Sequence, residues 1–62
     1  MDLFTVTVFW VPDEVSVYFQ GFLSFSAIVL ACDRDDARQE VVEFCKKNFN
    51  ACSIIKARVK KV

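Results

Sequence analysis

The chain has 62 residues, 55% of them hydrophobic and 26% charged, with eight Lys and Arg balanced by eight Asp and Glu. A chain this short buries only roughly 60% of the surface it exposes when unfolded, which leaves room for a single small α+β domain, residues 1–62, and no second core. Zero formal charge speaks against a polycation built to coat nucleic acid, and the lack of histidine removes the commonest general base and metal ligand.

Residues 3–11 read L-F-T-V-T-V-F-W-V, β-prone and alternating, with Phe4, Val6, Val8 and Trp10 on one face and Thr5, Thr7 and Phe9 on the other. Pro12 ends this first strand because it has no N–H to give a ladder. Residues 12–21 carry conflicting signals. Pro12, Asp13 and Glu14 with Gly21 outline a short helix, whereas Val15, Val17, Tyr18 and Phe19 favour a strand, so the segment is read as a connection of open structure.

Residues 22–31 form the expected second strand, with Leu23, Phe25, Ala27, Val29 and Ala31 on one face and Ser24, Ser26, Ile28 and Leu30 on the other. Asp33 then stands as a helix N-cap, with Asp36 three residues on completing an acidic variant of the capping box. Ala37, Val41, Phe44, Cys45 and Phe49 follow at i, i+4, i+7, i+8 and i+12, one apolar stripe of helical period. Lys46 and Lys47 in the last turns suit the helix dipole, and Asn50 can take a left-handed C-cap.

Residues 53–62 read as a last strand in which Ile55, Ala57 and Val59 face the core while Lys56, Arg58 and Lys60 face outward. A right-handed crossover through the helix makes the second and third strands parallel. The simplest sheet places the first strand between them, antiparallel to both, giving a ββαβ fold with sheet order 2-1-3 and the helix on one face.

All eight acids lie in residues 1–43, opposed there only by Arg34 and Arg38, for a net −6; the other nineteen residues carry six cations and no acid. The uncharged run over residues 15–32 is just long enough for a membrane-spanning helix, but Ser16, Gln20, Gly21, Ser24 and Ser26 and the strand-like alternation argue against one. Three cysteines without histidine or a C-x-x-C pair form neither an even disulfide framework nor a zinc set, so reduced thiols are expected. Cys45 falls on the helix's buried stripe, whereas Cys32 and Cys52 belong at opposite ends of the sheet. Cys45 and Cys52 share an end and could pair under oxidation. Asp2 directly after Met1 is unlike the basic start of a secretory signal, and a cytoplasmic protein is expected.

With no histidine, one tyrosine and Gly21 the only glycine, the chain offers neither acid–base machinery nor a phosphate loop, and no enzyme activity or cofactor is expected. Asp33, Asp35 and Asp36 lack the glycine-turned pattern of a calcium loop and read as helix-terminus acids rather than metal ligands. The open sheet face then gathers Thr5, Thr7, Ser24, Ser26, Lys56, Arg58 and Lys60, rimmed by Phe9, Phe22, Ile28 and Leu30. One reading is a solvated face with a charged edge strand. The other is a docking face, with Lys56, Arg58, Lys60, Thr5, Thr7 and Phe9 as the partner-binding residues. Sheets that read single-stranded nucleic acid carry aromatic rings at their centre, where this chain has Thr and Ser, so nucleic acid is the lesser alternative. A homodimer or structural homo-oligomer that buries the aromatic rim is the other.

The succession of strand, Asp33-Arg34-Asp35-Asp36-Ala37 helix start, short helix and terminal basic strand resembles the small podophage proteins that bind and inhibit bacterial RNA polymerase. Lys56-Ala57-Arg58 is similar to the family's Arg-x-Arg stretch on that strand, with lysine in place of the first arginine. The resemblance implies a phage- or mobile-element-encoded inhibitor or modulator of a host complex, RNA polymerase or a defence system, acting through its last strand and working in the host cytoplasm.

Overall fold

The computed structural model describes residues 1–11, 23–51 and 53–62. Strands β1 (Asp2–Val11) and β2 (Leu23–Ala31) are followed by helix α1 (Arg34–Phe49) and strand β3 (Ser53–Lys61). The sheet order is β2-β1-β3, and β1 runs antiparallel to both neighbours. This is the ββαβ architecture that alternation and crossover handedness predict. The expectations for residues 12–21, for Phe22 and for a Cys45–Cys52 pair fall outside the described residues.

The alternation of β1 is realised as a buried row and a half-buried row. Phe4, Val6, Val8 and Trp10 are buried under α1, joined in the core by Ala31, Ala37, Val41, Cys45 and Ala51. On β2, Phe25, Ala27 and Val29 pack against that core from the same side. Alanine at positions 27, 31 and 37 leaves room for the helix to lie close to the sheet.

Both helix ends follow the sequence signals. The Asp36 N–H donates to Asp33 Oδ1 at 2.8 Å, and the Ala37 N–H donates to the Asp33 carbonyl at 3.0 Å. Asp36 returns the favour one residue earlier than a standard capping box, its Oδ2 accepting the Cys32 N–H at 3.3 Å. At the other end Asn50 has φ 52°, in the left-handed region that a short amide side chain tolerates, and the Ala51 N–H donates to the Cys45 carbonyl at 3.4 Å.

Two expectations need correction. Phe44 and Phe49 belong to the predicted buried stripe, yet each is 46% exposed. They reach past the edge of the helix-covered area and stack instead on the sheet's rings: Phe25 lies 5.3 Å from both, and Trp10 lies 5.7 Å from Phe49. Ile55 is predicted to face the core but is 57% exposed. The β1–β3 register explains why: Phe9 pairs with Lys56 and Trp10 with Ile54, so Ile55 is an extra residue in a β-bulge and Ile54 takes the core side.

Candidate functional site

The open face of the sheet is built from the β1 residues that point away from the helix and from the matching rows of β2 and β3. Register fixes its layout. Thr5 pairs with Lys60, Thr7 with Arg58 and Phe9 with Lys56 on one side, and the same three pair with Ile28, Ser26 and Ser24 on the other. All six predicted contact residues, Thr5, Thr7, Phe9, Lys56, Arg58 and Lys60, therefore share one face.

The bulge at Ile55 lets Ile54 face inward while the cations stay on the open face. Ile54, Lys56, Arg58 and Lys60 are all even-numbered, so an unbroken strand with Ile54 inward would turn the three cations into the core. The extra residue resets the phase after Ile54, and Ala57 and Val59 face the helix instead.

Lys56, Arg58 and Lys60 are exposed and follow one another every second residue, a column with a spacing of about 7 Å. Among the described residues no carboxylate pairs with any of them: the ion pairs there join Arg38 to Asp35 within the helix and Lys61 to Asp2, each at 3.6 Å. Neighbouring positive charges at that spacing repel by about 0.6 kcal/mol even in bulk water. The column is thus a surface that gains when an anion covers it.

Beside it, Phe9, Ile55, Lys56 and Arg58 line a shallow apolar cleft of about 270 Å³. Ile55 joins the site only because of the bulge, which is why alternation alone misses it. The signal is present in the sequence as the adjacent pair Ile54-Ile55, two apolar residues that cannot both face inward along a regular strand. A second depression, about 370 Å³, lies along Thr5, Thr7, Arg58, Val59 and Lys60.

Toward β2 the face becomes uncharged. Thr7 and Ser26 sit opposite each other with their hydroxyl oxygens 2.8 Å apart, and Ile28 and Leu30 continue the strand as exposed apolar residues. Of the described acids, Asp33, Asp35, Asp36, Glu40 and Glu43 belong to the helix and its cap, on the other side of the sheet, and Asp2 pairs with Lys61. Asp33 and Asp36 are engaged in capping. Among the described residues no group of carboxylates and thiols has the arrangement of a metal site, and no helix is long and apolar enough to cross a membrane.

The described cysteines differ in access. Cys32 is exposed beyond the end of β2, whereas Cys45 is buried in the core, and burial pushes its thiol pKa above the ordinary 9.0 because the thiolate would lose its hydration. Neither lies on the open face. Comparison with known proteins finds no matching family model, no similar curated protein and no similar solved structure.

Proposed function

We propose that this chain is a small non-enzymatic binding module that docks an acidic surface of a larger protein onto the open face of β3. One observation carries the reading: Lys56, Arg58 and Lys60, which no carboxylate among the described residues pairs, form a cationic column directly beside the apolar cleft of Phe9 and Ile55. A carboxylate-bearing segment with one apolar side chain matches both halves of that site. The carboxylates relieve repulsion within the column, and the apolar group fills the cleft. Arg58 lies between the two lysines and borders both depressions, so it is the contact residue whose loss costs most.

The same features suit a phage- or mobile-element-encoded inhibitor or modulator that acts in the host cytoplasm by occupying a surface of a host complex such as RNA polymerase or a defence system. A pull-down from bacterial lysate with wild type and Arg58→Glu in parallel tests this reading. A protein retained by wild type and lost with Arg58→Glu, at unchanged far-UV circular dichroism, is the expected result. Equal retention by both would remove the site assignment. Retention that vanishes on nuclease treatment and falls steeply with salt would instead identify a nucleic-acid module.

A further inference from the structure

The two outer edges of the sheet are finished in different ways. Because the Val62 N–H donates to the Leu3 carbonyl at 3.0 Å, the odd-numbered backbone groups of β1 point to β3 and the even-numbered ones to β2. It follows that Val59 turns its carbonyl to the outer edge of β3, where the Arg34 Nη1 donates to it at 2.9 Å. That edge also carries the bulge, and Lys56, Arg58, Lys60 and Lys61 lie along it, all devices that keep another strand away.

Among the described residues the outer edge of β2 has none of these. Its nine residues from Leu23 to Ala31 include no charge, no proline and no register shift. By the same parity the N–H and C=O groups of Ser24, Ser26, Ile28 and Leu30 point outward, and among the described residues no strand lies beyond them. Above this edge a groove of about 260 Å³, lined by Phe25, Ala27, Val29, Glu40, Val41 and Phe44, opens to solvent. Below it Ile28 and Leu30 are 64% and 55% exposed.

We propose that the edge is closed by the same edge of a second copy of this chain, antiparallel about a two-fold axis at Ala27, making one six-stranded sheet from two three-stranded ones. The strand is self-complementary in this register and in no other of equal length, since Ala27 is its midpoint. Ser24 faces Leu30 and Ser26 faces Ile28 of the partner as hydrogen-bonded pairs, Phe25 faces Val29, and the smallest side chain, Ala27, meets itself on the axis. Each α1 runs antiparallel to its copy, with Val41 and Phe44 on the side toward the shared edge.

Size and charge agree. Two helices lying over their β1 strands are separated by three strand spacings, about 14 Å, against the 8–10 Å of direct helix packing. The half-exposed Phe44 of each copy, above Phe25, is the side chain placed to close that gap. A strand edge about 30 Å long under a helical layer about 10 Å away gives a contact on the order of 1,000 Å² over both copies, the lower bound for a specific interface. Zero net charge on the chain imposes no long-range repulsion between copies. The basic column of β3 lies at the opposite edge, so the two interfaces are independent.

Sedimentation of the full chain from micromolar to millimolar concentration reads the prediction directly, with twice the chain mass expected at the upper end. Ile28→Pro removes an outward N–H and leaves the β1 ladder intact, so it should give a monomer with unchanged far-UV circular dichroism. In a Cys32→Ser, Cys52→Ser background, Ala27→Cys should form a covalent dimer on mild oxidation, because directly opposed residues that are not hydrogen-bonded lie about 4.5 Å apart between Cα atoms, within disulfide range. Ser24→Cys should not. A wild-type monomer at millimolar concentration would overturn the proposal and leave the edge to a strand of another protein. A dimer that survives Ile28→Pro, or equal cross-linking at positions 24 and 27, would overturn it too.

Discussion

Deleting Ile55 should leave the fold standing, an unusual outcome for the loss of a residue from inside a strand. The extra residue lies between Ile54, paired with Trp10, and Lys56, paired with Phe9, so its removal joins two positions whose β1 partners are already consecutive. Ile55 is 57% exposed, and losing the burial it has costs about 1 kcal/mol, taking 1.5–3 kcal/mol for complete burial of such a side chain. Ordering one residue fewer returns about 1–2 kcal/mol of backbone entropy. The net change is therefore within about 1 kcal/mol of zero. Deleting Thr7 from the unbulged β1 is the contrasting case: it inverts one half of the strand and drives either Phe4 and Val6 or Val8 and Trp10 out of the core. At about 1.5–3 kcal/mol each, that loss matches the roughly 3–5 kcal/mol a core of this size supplies. Urea unfolding followed by Trp10 fluorescence and circular dichroism measures both. An Ile55 deletion that unfolds the chain or costs more than about 3 kcal/mol would refute the bulge as the site of the phase reset, and a folded Thr7 deletion would refute the two-face account of β1.

Asp33→Ala should destabilise the protein by about 1 kcal/mol, because it leaves the Asp36 N–H without its acceptor at the helix start; Asp33→Asn, which can still accept, should recover most of the loss in the same urea assay. The buried Cys45 thiol makes stability fall at alkaline pH. Its pKa is raised in the folded state, so below the ordinary value of 9.0 both states hold the proton and nothing is lost, whereas above it the unfolded state ionises first and stability declines by up to about 1.4 kcal/mol per pH unit until the folded value is passed. Cys45→Ala should flatten that decline, and a slope unchanged by the substitution would assign it to other groups.

Most of the fold is legible in the residues because three periodic signals agree. The alternation of β1, the capping acids at Asp33 and Asp36 and the stripe through Ala37, Val41 and Cys45 each specify an element, and the simplest sheet with a right-handed crossover puts β1 between β2 and β3. Where the reading fails, it fails for local reasons. Period alone cannot separate a residue under the sheet's centre from one beyond its rim, so Phe44 and Phe49 look as buried as Cys45. Nor can it decide which member of Ile54-Ile55 faces inward, since that depends on the hydrogen-bonding partner across the strand. Alternation puts the cationic residues of the candidate site on the open face even though it misplaces Ile55, because Ala57 and Val59 fix the phase of everything after the bulge.

The central position of β1 ties each amide of that strand to one neighbour only. Thr5 and Thr7 bond toward β3, while Phe4, Val6 and Val8 bond toward β2, so successive amides along a single strand report on opposite edges of the sheet. Hydrogen exchange resolved by residue would therefore separate loosening of the basic edge from loosening of the uncharged one without any label. The outward amides of Ser24, Ser26, Ile28 and Leu30 supply a third channel, open to exchange in the monomer and closed by a paired strand.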